Sequence, residues 1–496
     1  MFGVSGIGSG YKTLHVDRAC PEAGKEILML EKKQPVEKHI LTIIFSSIVI
    51  CGVLLIIFPQ LRLFCLNFST AKYQISMMLI FTLAISGILM SGLFLFILYY
   101  ENTLFAFLRK NYFIAAYAAL SFIAICIRIA GFKYVSPDYK AFIINWTEYL
   151  SQNGHFFGIA TIKSDYSPVY LYFLSIVSFF PKNLWLPCVK IISCIFDFLL
   201  AFVIAKSVFH VHKNKFRALT AYAMILFCPT VFFNSGIWAQ CESIYALFVF
   251  LSLLYFIKNK VAWALFFCGI ALSIKIQTIF VIPFIIFLYF GRCFSFNKLL
   301  YFFLGFISTI IIGLPFGAHI QMLKAYFKQL AGYSDRLTMN APSVYALFNA
   351  VDHTDLLGRI GIVFTFTILF GMLLLIIKNH EYKAPEYNSK QTAVMRITLF
   401  FFSVLIVPFF LPRMHERYFY LAEIASILYA FIIPQRWYIP LLIILPSCAG
   451  YFNFLFMNNA GLFPRALIVM AAVILVILFT IKNILQYYSK PHRPFR

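Results

Sequence analysis

Apolar residues in this chain come in blocks about 20 residues long, parted by short polar stretches, from Ile40 almost to the end. That is the length an α-helix needs to cross a hydrocarbon core about 30 Å thick. The expected spans are 40–58, 76–99, 112–131, 168–180, 186–206, 218–237, 240–257, a Lys/Gln-interrupted run 262–290, 299–318, 358–377, 396–411, 419–434, 437–456 and 465–482. The pattern predicts an all-α, polytopic transmembrane helical bundle of roughly twelve to fourteen helices, because lipid offers no partner to an open backbone amide. The run 168–180 is short for a span, which leaves a re-entrant segment open. Residues 1–38 form a polar tail with no sign of a cleavable signal peptide. Two additional helices fall in 39–110, the main transmembrane domain in 111–482 and a basic cytoplasmic tail in 483–496. No internal repeat is visible, which counts against a secondary transporter.

Composition narrows the class. Only 12% of residues are charged, against about 25% in soluble domains, so an ordinary soluble protein is excluded. The net charge of +23 would suggest nucleic acid in a soluble chain. Here the cations sit in short loops and at the C-terminus, as the positive-inside bias requires, so the bilayer is the expected partner and nucleic acid is not. The eleven Cys are scattered through apolar runs without metal-ligand or disulfide spacing, and are read as packing thiols.

The polar loops are of two kinds. Those at 100–111, 207–217, 291–298, 378–395 and after Lys482 are basic or otherwise charged. Those at 132–167, 238–243, 319–356 and 412–418 carry aromatics, acids, amides and His. Placing the first kind in the cytoplasm puts the second kind together on the opposite face.

Five constellations on that second face, or buried near it, suit chemistry. Asp138, followed by Trp146 and Glu148, offers a carboxylate at a membrane boundary. A hydroxyl becomes a good nucleophile only when a base takes its proton, and Asp138 is the candidate base. A solvated helix-capping Asp is the alternative. Asp165 and Tyr166 precede Ser167 and Pro168, where the acid either caps the next helix or acts as a second acid facing Asp138. Gln240 and Glu242, beside Trp238, suit sugar recognition or an interfacial Trp belt. Lys275 and Gln277 interrupt an apolar run, where a lysine is costly and faces a counter-ion such as Asp197, or a ligand phosphate. Arg413, His415, Glu416, Arg417 and Tyr418 form the sharpest cluster, since two arginines at a membrane mouth suit planar capture of phosphate.

In this order, these motifs resemble the GT-C superfamily of polytopic glycosyltransferases, especially bacterial relatives of the GPI-anchor mannosyltransferases and of the dolichyl-phosphate-glucose glucosyltransferases. The resemblance covers roughly 112–482. It departs from the family where Ser167 stands before a single Pro168, where Glu242 replaces the commoner Asp, and where Ile276 separates Lys275 from Gln277. It implies a GT-C fold with large non-cytoplasmic loops, in which a single hexose passes from a polyprenyl-phosphate donor to a glycan, lipid or protein acceptor. Asp138 would be the base, with Asp165 as second acid, and Arg413, His415, Arg417 and Lys275 would hold the donor phosphate. Trp146, Glu148, Tyr166, Gln240, Glu242, Gln277, Glu416, Tyr418, Arg336 and Asn340 would line the substrate, with loop 319–356 (also carrying Tyr333 and Tyr345) closing over it. Such a donor carries its own activated bond, so neither a soluble cofactor nor a metal is expected. A bacterial plasma membrane is the expected location. A transporter or flippase of lipid-linked anions, and a polysaccharide polymerase or ligase, are the competing readings.

Overall fold

The computed structural model describes residues 106–319, 321, 325–326, 336–348, 354–380, 389–456 and 461–488. The expected spans 40–58 and 76–99, the tail 1–38, Tyr333 and residues 489–496 lie outside these. The described helices are α1 (Ala106–Ala130), α2 (Ile144–Gln152), α3 (Pro168–Val177), α4 (Trp185–His212), α5 (Lys215–Leu226), α6 (Pro229–Phe232), α7 (Glu242–Ile257), α8 (Val261–Ile274), α9 (Ile282–Phe290), α10 (Leu300–Gly313), α11 (Thr354–His380), α12 (Ser389–Phe410), α13 (Tyr420–Ile432), α14 (Ile439–Phe456) and α15 (Leu462–Tyr488). The chain is a multi-pass, all-α membrane protein.

Among the described residues seven helices are long and apolar enough to cross a membrane, or eight if the pair Lys215–Leu226 and Pro229–Ile237, bent by 49°, counts as one span. That is fewer full-length spans than the apolar blocks suggest, because apolar runs also build protein interior. The block 168–180 yields the ten-residue α3, roughly 15 Å long and too short to cross. The run 262–290 breaks at Lys275, whose extended backbone (φ −151°, ψ 132°) separates α8 from the 3₁₀ turn Ile276–Val281. The bend between α5 and α6 falls at Pro229, where a proline without an N–H restarts the helix.

Burial sorts the helices. α12 is the central column and almost wholly buried, whereas most of α10 and α11 is left uncovered by protein. α7 is almost wholly buried between α4 and α8. α8 and α10 approach until their backbones touch. A Cβ on Gly269 would strike the Phe302 carbonyl, and one on Gly305 the Phe266 carbonyl, so both positions require glycine.

Charges inside the bundle are matched. Arg128 on α1 donates to Asp197 on α4 at 2.9 Å, to the Ala124 carbonyl at 3.1 Å and to the Leu226 carbonyl at 3.2 Å. Ser235 completes Asp197 at 2.5 Å. The Lys190 ammonium on α4 binds the carbonyls of Gly131, Phe132 and Tyr134 at 2.9, 3.3 and 2.7 Å, capping the end of α1. It thereby pins the segment that leads to Asp138.

Candidate functional site

Two π-helical turns prepare the site. Tyr139–Ile143 follows Asp138, and Phe233–Ile237 precedes Trp238. Such turns carry an extra residue and often mark places where side chains are re-aimed. The two segments lie flush because Gly131 and Gly236 have no Cβ: one on Gly131 would meet the Gly236 carbonyl and the Ile237 side chain. Ser136 donates to the Trp238 carbonyl at 2.6 Å. Ala239 takes a left-handed turn (φ 64°), which swings Gln240 toward Asp138.

Asp138 is held by three donors on one oxygen. Its Oδ2 accepts from Trp238 Nε1 at 3.0 Å, Gln240 Nε2 at 2.6 Å and Arg417 Nη1 at 2.8 Å. Oδ1 accepts no hydrogen bond among the described residues, and the side chain keeps 17% of its surface accessible. Gln240 is oriented in turn by Tyr166, whose hydroxyl donates to Oε1 at 3.0 Å. Trp238 stacks on Phe454 at 4.6 Å and lies under the Arg417 guanidinium at 5.5 Å.

Arg417 links two parts of the site. Beyond Asp138 it lies 3.5 Å from Glu242, which takes the Lys275 ammonium at 2.5 Å. Lys275 also sits over the rings of Tyr166 and Tyr245, at 5.5 and 5.6 Å. The expected partner of Lys275, Asp197, is instead neutralised by Arg128. The break that exposes Lys275 is clamped by Ser167, which donates to the Ile274 carbonyl at 2.6 Å. Ser167 therefore has a structural role here.

Tyr166, Lys275 and Arg417 line a cavity of about 610 Å³, while Asp138, Gln240 and Glu242 stand behind that wall, reached through Arg417 and Lys275. Five cations line it, Lys275, Arg336, Arg359, Arg413 and Arg417, against two acids, Asp165 and Asp355. Ile276, Phe280, Ile362 and Leu411 give it apolar walls. Arg417 and Lys275 are already faced by Asp138 and Glu242. Arg359 and Arg413, both exposed at the mouth, meet no carboxylate among the described residues. A short parallel pairing of β1 (Thr338–Met339) with β2 (Met414–His415) joins the Arg336 loop to the Arg413–Arg417 segment. Arg413 adopts φ 64° and donates its amide to the Leu337 carbonyl at 2.7 Å.

The remaining expected site residues divide. Asp165, Tyr166, Gln277 and Tyr418 line the cavity. Trp146 stays behind it, edge-on to Tyr166 at 5.4 Å. Glu148 lies on the surface, paired with Lys182 at 2.6 Å, away from the cluster. Asn340 braces the fold: it donates to the Gly450 carbonyl at 2.9 Å and accepts from Arg465 at 2.7 Å. His415 and Glu416 are absent from the cavity wall. Burial, with Arg417 and Lys275 adding to it, pushes the His415 imidazole down to about 3, so it is neutral. Burial pushes the Glu416 carboxyl up to about 7 against the pull of Arg417. Arg359 and Asp355 are additions from structure; their signal was a charged pair four residues apart in the first turns of a long apolar helix.

No protein-family model matches the chain, and no curated protein matches it either.

Proposed function

We propose that the protein is an inverting glycosyltransferase that moves one hexose, mannose or glucose, from a polyprenyl-phosphate donor to an acceptor hydroxyl on the face opposite the basic loops. The reading is carried by one contact: Arg417, which lines a cationic cavity with apolar walls, donates at 2.8 Å to Asp138 just behind it, far away in sequence. A carboxylate able to take a proton therefore stands beside a site suited to a lipid-linked phosphate.

In the proposed step the acceptor oxygen bonds to the anomeric carbon while the bond from that carbon to the phosphate oxygen breaks. The acceptor proton passes to Asp138, whose Oδ2 is fixed by three donors and whose Oδ1 accepts none among the described residues. The donor is a phosphodiester with one negative charge, and the leaving group a monoester approaching two. Arg359 and Arg413, together with Arg336, answer that gain in charge at the mouth. Arg417 and Lys275 form the inner wall against the sugar. Fixed cations aimed at developing charge are the larger part of such catalysis. Against a conduit for substrates, Asp197 and Lys275 are held by separate partners and form no shared path.

The test incubates membranes containing the protein with labelled polyprenyl-phosphate mannose, glucose and arabinose and follows the label. Transfer from a hexose donor is expected. Asp138→Asn should lower it about a hundredfold or more while the protein stays folded and inserted. Near-normal transfer by that variant removes Asp138 as base, and no transfer from any donor removes the reading.

A further inference from the structure

We infer that the basic end of the bundle carries a binding site for the phosphate headgroup of an anionic membrane lipid, built from Lys206, Lys213, Lys258 and Lys260. The four come from three elements. Lys206 is on α4, Lys213 ends it in a left-handed turn (φ 54°), and Lys258 and Lys260 flank the turn from α7 to α8 at Asn259 (φ 58°). Lys258 feels the other three directly: burial first, then Lys206, Lys260 and Lys213, hold its ammonium below the ordinary lysine value.

Four like charges at one end attract a counter-charge, although Lys206, Lys213 and Lys260 are exposed and partly screened by solvent. Helix ends supply part of one, since α4 and α7 both finish here and each C-terminus is equivalent to about −0.5 charge. Together they offset roughly one of four positive charges. Among the described residues no carboxylate meets any of the four ammonium groups. Instead, Lys206 lies over the Phe202 ring at 5.6 Å and Lys258 over Tyr255 at 5.9 Å. No described carboxylate answers these lysines, so the cluster offers a net positive site to an external anion.

Position says what kind of anion. Phe202 and Trp263 stand 53% and 54% exposed just below the lysines, on α4 and α8, where they flank the buried α7. Tyr255, Trp263 and Phe267 form a ring cluster on that side. Amphipathic rings mark the headgroup level, with acyl chains beyond them. A phosphate held by the lysines would leave its acyl chains against these aromatics, whereas a soluble anion would use none of them.

The experiment follows thermal unfolding of the full-length protein in neutral phosphatidylcholine–detergent micelles titrated with phosphatidylglycerol. The lipid should stabilise the protein saturably. Lys206→Gln with Lys258→Gln should move the half-saturation point up about thirtyfold, at roughly 1 kcal/mol for each ammonium near an anionic surface. Lys206→Arg with Lys258→Arg should keep it, as should Lys298→Gln elsewhere on the surface. An unmoved half-point in the Gln double variant overturns the inference. So does equal stabilisation by inorganic phosphate, which would make it a site for free anions. Should the Gln variant fail to fold, the wild-type half-point must still rise with salt, and a salt-independent one also refutes the site.

Discussion

Arg417 faces two carboxylates, and the chain around it is tuned to keep that arrangement. His415 and Glu416 precede it, buried, with titrations displaced in opposite senses. A histidine held down at about 3 from 6.5 loses folded stability as pH falls through that window, because only the unfolded chain takes the proton. A carboxyl held up at about 7 from 4.5 loses stability as pH rises through its window, because only the unfolded chain releases the proton. The two slopes oppose each other between about 4.5 and 6.5, and each variant should uncover the other one. Glu416→Gln leaves the histidine slope alone and should melt progressively lower as pH drops below 6.5. His415→Gln should melt progressively lower as pH climbs from 4.5 to 7. Profiles of both variants parallel to the parent would discard this account. At this scale the sequence marks which residues are costly, but not who answers them. Lys275 inside an apolar run is visible as a charge needing a partner, yet its pairing with Glu242 rather than Asp197 depends on how α7 and α8 pack. Arg359 was legible only as the flank of an apolar helix, because its value comes from facing Arg413 across the cavity.

Helices in this bundle are joined by a few polar contacts that apolar packing cannot replace. The buried pair of Arg128 and Asp197 ties α1 to α4, with Ser235 and the Leu226 carbonyl bringing in the segment before Trp238. Removing one partner leaves a charge buried without its counter-charge, which costs roughly 3–5 kcal/mol, whereas replacing both with apolar residues is often far milder. Arg128→Met and Asp197→Leu should each lower stability by about that amount in reversible denaturant unfolding, and the double variant should recover most of the loss. Additive losses would show that the two side chains act independently. The same reasoning explains which elements the sequence reveals. Long apolar helices such as α11 and α15 are plain from hydropathy, with edges off by a few residues. α13 is not plain, because a short helix buried in protein and half of a lipid-facing one have the same apolar character. The break at Lys275, where a charge enters the run, and the shortness of 168–180 announce themselves in advance.

Across the described bundle the Asp138–Arg417 cluster and the lysines sit at opposite ends of the same helices. α4 carries Lys190 near its start, capping the segment that leads to Asp138, and ends at His212 beside Lys213. Its 28 residues span roughly 42 Å, more than the roughly 30 Å of a hydrocarbon core. α11 repeats the measurement: Arg359 is one turn from its start at the cavity mouth, and Lys378 lies near its other end. The loops suggest this division, because lysine- and arginine-rich short loops are expected on the cytoplasmic side. It has a direct consequence for sidedness. In a background with the native cysteines replaced, Arg359→Cys should react with a membrane-impermeant maleimide only from the outer side of sealed, right-side-out vesicles. Lys213→Cys should react only after the membrane is opened. If both positions label from the same side, α4 and α11 do not cross the bilayer as their lengths indicate. The cavity at Arg359 would then not be separated from the basic end by lipid, and neither an outward-facing transfer site nor a cytoplasmic headgroup site would stand.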